Sequence, residues 1–379
     1  MSTTPTLRPG TDFGVSGPFP LAPLSHPLDR RWLHYAFLSR QGGQAVIANL
    51  SVLGASRGVA FGEPGAAGEG GAESRTGPRP QRTAILLVHQ EGRGWSSSRF
   101  DAEQPAAPWS AFRLPRPRPQ GGTGPPDGFR VAGRGVGPLA DLRLRRTGRP
   151  SVSQCASFGD GEHLRRQCEP GVLATGTVRW SREDTDGTGA GRPTELIGCH
   201  ERVRGRWSWP ALGGWVSGFA HDPAGDPCGP PPSAVVFTLV QPSRTGRAAD
   251  AANGSVMLWR DGRPVRHFPR RGLRVTVRDT LPRDRVTLVP PLAGLLGAAP
   301  AAAVPRRLLV TARMGEDRLV IDFLARTAAR VAGPSETGVN PFSVHETLGE
   351  YVVEARVSGR RTSFCAMGLV EFAGGAGDG

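Results

Sequence analysis

Apolar and polar residues alternate in short runs along most of the chain, and the runs are separated by turn-forming residues rather than by helical stretches. The first clear case is Trp32-Leu33-His34-Tyr35-Ala36-Phe37-Leu38, followed by Gln41-Gly42-Gly43-Gln44 and then by Ala45 to Leu53. A Gly-Gly turn between two β-prone runs predicts a hairpin. The pattern resumes at Ala84–His89, Gly128–Val131, Ala140–Leu144 and Val172–Trp180, and again at Gly214–Ala220, Ala234–Val240 and Ser255–Trp259. It continues through Leu273–Arg278, Arg306–Arg313, Arg318–Phe323, Tyr351–Val357 and Met367–Phe372. Between these lie segments rich in Gly, Pro or Ala, at Gly62–Arg82, Pro115–Pro126 and Asp184–Pro193, which read as loops. Val286–Val304 reads as a long loop with a helical turn, and residues 1–27 as an irregular leader.

Many short strands with no amphipathic helix between them predict an all-β protein of barrels or sandwiches. The 379 residues suffice for two domains, each with its own core. The boundary is expected near Glu201–Arg206, giving domains over 28–200 and 201–379. The 53 Gly and 36 Pro residues fit this reading, because both types interrupt helices.

The formal charge of +14 raises the question of nucleic acid. All 47 basic residues are Arg, however, and they are dispersed, in doublets such as Arg145-Arg146 and Arg270-Arg271. That usage resembles a coding bias towards Arg, Ala, Gly and Pro, so no nucleic-acid partner is expected. Cys155, Cys168, Cys199, Cys228 and Cys365 are too few and scattered for a disulfide framework, and their spacing with His163 and His200 fits no zinc motif. Neither a metal nor another cofactor is expected. Without a secretory pattern or a clean apolar span, the expectation is a cytoplasmic protein with no membrane span; the sequence leaves its oligomeric state open.

Four patterns, taken in order, resemble the hydroxyneurosporene synthase (carotenoid hydratase) and AttH-like lipocalin family, whose relatives include lipocalin-like Diels–Alderases. They are the hairpin from Trp32 to Val52, the run Trp207-Ser208-Trp209 with Gly214 to Asp222, the strand Gly254 to Trp259 with its Arg260-Asp261-Gly262 turn, and the closing pair Tyr351–Gly359 and Met367–Gly375. Hydratase-like members carry Asp-His-Asn or Asp-Gly-Asn in the second pattern, where this chain has His221-Asp222-Pro223. The resemblance implies two lipocalin-like antiparallel β-barrel domains, with a pocket in or between them for a small apolar polyene or polyketide-like ligand. It also implies hydration or cyclisation as the chemistry.

A barrel of modest strand number leaves room for one small ligand, lined by alternate residues of each strand. On the first strand Trp32 and His34 share one face and Tyr35 the other. Tryptophans offer flat apolar area and one N–H donor, so Trp32, Trp207, Trp209, Trp215 and Trp259, with His34, are the candidate substrate contacts. Asp222, His221 and Tyr35 are the candidate catalytic groups, Asp222 as an acid at a strand end; an Asp-Pro turn that caps its own backbone is the alternative for that residue. His345-Glu346 reads as surface. The leading expectation is a cofactor-independent cyclase of bacterial secondary metabolism acting on an unsaturated apolar intermediate. The alternatives are hydration of an isolated double bond and a non-catalytic carrier.

Overall fold

The computed structural model describes residues 26–54, 81–101, 128–132, 137–151, 154–181, 192–208, 212–242, 253–289, 303–332 and 343–374. The leader and the loops expected at Gly62–Arg82, Pro115–Pro126 and Asp184–Pro193 fall wholly or largely outside them, as do Trp209 and residues 290–302.

Among the described residues, nine strands form the first sheet: β1 (Asp29–Ser39), β2 (Gln44–Leu53), β3 (Gln81–Gln90), β4 (Gly94–Asp101), β5 (Gly128–Ala132), β6 (Leu139–Arg146), β7 (Gln154–Gly159), β8 (Glu162–Arg179) and β9 (Arg192–Arg206). Their order is β4-β3-β2-β1-β9-β8-β6-β5, with β7 on β8. Ten described strands form the second: β10 (Leu212–His221), β11 (Ser233–Pro242), β12 (Asn253–Arg260), β13 (Arg263–Pro269), β14 (Leu273–Thr280), β15 (Val286–Leu288), β16 (Pro305–Met314), β17 (Asp317–Ala332), β18 (Ser343–Val357) and β19 (Arg360–Gly374). Their order is β13-β12-β11-β10-β19-β18-β17-β16-β14, with β15 parallel to β17 and every other pairing antiparallel. In each sheet the first strand pairs with the last, β1 with β9 and β10 with β19. The expected all-β architecture of two antiparallel barrels is what the chain adopts.

Local chemistry explains the turns. Gly42 takes φ of 76° in the β1–β2 hairpin, where its N–H reaches the Ser39 carbonyl at 2.8 Å. Between β12 and β13, Asp261 and Gly262 have φ of 48° and 71°. Two successive positive values define the I′ turn whose twist matches the flanking strands, and Asp-Gly suits it.

Burial is where this chain departs from a simple alternating barrel. Each sheet curls around its own apolar core. Phe37, Leu50, Leu86 and Leu142 fill the first; Phe268, Phe323, Tyr351 and Val353 fill the second. The outer faces of the two sheets then pack on each other through Ala36, Leu38, Ile47, Phe219, Val236, Met257, Trp259 and Leu348. Strand β1 therefore buries both faces: Tyr35 and Phe37 look into the first core, while Ala36 and Leu38 look towards the second sheet. That is why its sequence reads as a nearly continuous apolar run.

Candidate functional site

A row of polar residues crosses this apolar interface on each side. On the first sheet Asn49, His34 and Glu201 are direct cross-strand partners, His34 facing Asn49 on β2 and Glu201 on β9. On the second, Ser217 faces Glu371, and Glu371 faces Glu346. The two rows meet at His34 and Glu371, whose Nδ1 and Oε2 lie 4.0 Å apart. They line a cavity together with Arg166, Cys199, Phe219 and Leu369. The cavity volume is about 20 Å³, enough for one water. The expected ligand chamber was apolar; the cavity lies between the sheets and concentrates charge instead.

The central feature is the carboxyl pair. Glu346 is 5% exposed and stands directly across β18 and β19 from Glu371. Two ionised carboxylates in that position would repel at short range in a desolvated setting. Burial first, and the facing Glu371 second, push the Glu346 carboxyl well above the ordinary carboxylate range. A hydrogen bond joins the two carboxyls, and such a bond needs a proton on one of them. The Trp215 indole N–H donates to Oε1 of Glu371 and so fixes the position of that carboxyl.

Across the cavity Arg166 grips Glu201 with both Nε and Nη2, the second contact at 2.7 Å. The guanidinium is 5% exposed, and its Nη1 has no hydrogen-bond partner among the described residues. Removing one member of such a pair leaves a buried, uncompensated charge. Arg166→Met is therefore expected to destabilise the protein by about 3–5 kcal/mol, whereas Arg166→Met with Glu201→Met costs far less. Urea denaturation of the three proteins checks this.

His34, Glu346 and Glu371 offer one ligand atom each within 4.8 Å of one another. A divalent cation would draw those atoms closer. The Arg166 guanidinium lining the same cavity opposes a second cation, and the cluster is better matched to a shared proton.

The residues singled out from sequence are distributed unevenly around this site. His34 lines the cavity, and Trp215 contacts Glu371. Trp32 stacks on Trp215 with ring centroids 5.8 Å apart and meets Trp207 edge-on at 5.3 Å, forming an aromatic wall beside the carboxyl pair. Tyr35 lies on the opposite face of β1, stacked on His200 at 4.3 Å. Trp259 packs in the interface, and its indole N–H donates to the Arg149 carbonyl at 3.0 Å. His221 accepts the Gly171 N–H at 2.9 Å, and burial drives its pKa down to about 3. Asp222 accepts the Ala224 N–H at 3.0 Å in a turn, and neither it nor His221 lines the cavity. Trp209 lies outside the described residues.

Four residues of the site, Arg166, Glu201, Glu346 and Glu371, were not singled out by the sequence. His345-Glu346 in particular is not surface: both residues are buried in β18, His345 at 4% exposure and Glu346 at 5%. The available signal was an acid isolated in an apolar strand, as in Leu369-Val370-Glu371-Phe372.

Solved structures place this architecture. An AttH-type protein of Nitrosomonas europaea is 12% identical and superposes with a TM-score of 0.53, over 94% of this chain and 98% of that one. The chain shares its two-barrel, lipocalin-like fold. Kievitone hydratase of Nectria haematococca is 11% identical, with a TM-score of 0.48 over 95% of each chain. CghA in complex with Sch210972 is 9% identical, with a TM-score of 0.46 over 92% of this chain and 89% of that one. No family model matches the sequence, and no curated protein matches it. At these identities the likeness is one of fold. No helix among the described residues is long and apolar enough to cross a membrane.

Proposed function

We propose that the chain is an acid–base enzyme that adds water across a carbon–carbon double bond of a small, largely apolar molecule held between its two sheets. One observation carries this reading: buried Glu346 stands directly across from partly buried Glu371, hydrogen-bonded to it, with its own carboxyl pushed well above the ordinary range by burial. A carboxylic acid and a carboxylate side by side in a water-sized cavity supply the two proton transfers that hydration needs. The oxygen of water bonds to one alkene carbon, and its proton passes to Glu371. The proton of Glu346 goes to the other carbon. The pair then holds one proton as before, on the opposite member, and passes it back through its own hydrogen bond. His34, beside Glu371, completes the polar lining, and Trp215, stacked on Trp32, flanks Glu371 outside it. Asp222, His221 and Tyr35 take no part in this scheme.

Cyclisation is the second reading. The same acid can serve an internal nucleophile, and the stacked Trp32 and Trp215 favour a flat, folded polyene. Hydration stands first because a cycloaddition has no use for a proton-sharing carboxyl pair.

Incubating the purified protein with extracts of a host lacking it, followed by mass spectrometry, separates the readings. Hydration predicts that one compound disappears as another appears heavier by one water. An isomer of unchanged mass supports cyclisation, and recovery of an unaltered bound compound makes the protein a carrier.

A further inference from the structure

One residue of the cavity lining has a donor without a partner among the described residues. Arg166 spends Nε and Nη2 on Glu201, and its Nη1 is buried with no partner among the described residues; Arg166 lines the same cavity as Glu346 and Glu371. A buried N–H of a charged group left unsatisfied is costly, more so than a neutral one. A water can fill the place in the resting protein. A substrate that displaces the water and offers no acceptor loses that bond, so an oxygen is what this position selects.

From this we infer that the substrate carries a carbonyl oxygen conjugated to the reacting double bond, and that Nη1 of Arg166 donates to that oxygen. The inference rests on the cavity being the substrate site. Its chemistry removes a difficulty in the simpler scheme. A carboxyl held protonated by burial is a weak acid, poorly suited to protonating an isolated alkene. Conjugation changes the demand. Water attacks the carbon β to the carbonyl, and its proton moves to Glu371. The π electrons shift onto the carbonyl oxygen, giving an enolate whose negative charge develops beside Arg166. Glu346 then delivers its proton to the α carbon and the carbonyl re-forms. Water adds across the double bond, no oxidant or reductant is needed, and the carboxyl pair, which holds two protons while the enolate stands, ends with the one it began with. In this scheme Arg166 touches the substrate and is a catalytic residue, and Glu201 is a positioning residue that fixes the guanidinium fork.

The test is a matched pair of probes, benzylideneacetone and (E)-1-phenylbut-1-ene, which differ in a carbonyl against a methylene. Binding is followed by quenching of tryptophan fluorescence and by calorimetry. The wild-type protein is expected to prefer the ketone by about ten- to a hundredfold, the worth of a charge-assisted hydrogen bond. Arg166→Lys keeps a cation for Glu201 but lacks the third fork nitrogen, and should cut the preference to about threefold or less. The double variant Arg166→Met/Glu201→Met, which leaves no buried charge unpaired, should abolish the preference while still binding the hydrocarbon. Equal affinity of the wild type for both probes, or an undiminished preference in both variants, overturns the inference and leaves the hydration reading untouched. A preference that depends on Arg166 supports it even where no water addition is found, an outcome that would sink the hydration reading alone. Failure of both probes to bind removes the cavity as a substrate site, and both proposals with it.

Discussion

Glu346→Gln is expected to lower turnover by about a hundred- to ten-thousandfold while leaving substrate affinity within a few fold of wild type. The amide matches the carboxyl in size and keeps a hydrogen bond to Glu371, but it cannot release a proton. Because burial favours the neutral form of Glu346 and no basic side chain is paired with it among the described residues, the exchange removes no ion pair, and the variant should fold normally. Glu371→Gln should lose activity for the complementary reason, the absence of a carboxylate to take the proton of water. It should also weaken the Trp215 contact. Asp222→Asn, at a turn outside the cavity, should leave turnover near the wild-type level. Steady-state kinetics on the substrate identified by mass spectrometry, with binding measured separately, distinguish loss of chemistry from loss of affinity.

The second large effect concerns stability against pH, where two kinds of buried group act with opposite signs. Burial lowers His200 and His345 to about 4 and His221 to about 3. For His345 the Arg330 guanidinium acts in the same direction. Their ordinary value is 6.5, so between 6.5 and those lowered values the unfolded chain binds protons that the folded one refuses. Stability is full above pH 6.5 and falls as the pH drops towards 4, by up to about 1.4 kcal/mol per pH unit for each histidine. Glu346 works the other way. Its raised pKa gives stability that is complete below 4.5 and is lost as pH rises towards the folded value. Urea midpoints across the acid range should therefore fall steeply below pH 6.5. His221→Gln, whose side-chain carbonyl can accept the same Gly171 N–H, should flatten that fall. Glu346→Gln should gain on wild type as the pH is raised above 4.5. An acid limb that is unchanged when His221 is replaced would refute the assignment.

The sequence revealed the scaffold better than the site, for a physical reason. The β1–β2 hairpin was readable because Gly42 and Gly43 sit between two apolar runs, and the Asp261-Gly262 turn because few residue pairs tolerate its dihedral angles. Strand β9 was not readable. Its stretch Cys199-His200-Glu201-Arg202-Val203-Arg204 alternates charged and apolar residues irregularly, because Glu201 points into a buried cavity rather than to solvent. The first half of β18 was hidden likewise, since His345-Glu346-Thr347 looks like a polar loop. A strand that carries buried ionisable groups between two sheets loses the pattern by which strands are recognised. His34 and Trp215 were found because they lie in strands that are otherwise apolar. Arg166 and Glu201 have no local mark, and only the pairing of β8 with β9 brings them together.

What the chemistry needs above all is a carboxyl that stays protonated in neutral solution between the two sheets. Infrared difference spectroscopy of wild type against Glu346→Gln at neutral pH reads this without knowledge of the substrate. A carbonyl stretch of a protonated carboxylic acid, present in wild type, absent in the variant and shifted in deuterium oxide, is the result expected. A carboxylate band lost in its place would mean that Glu346 is ionised and has no proton to give.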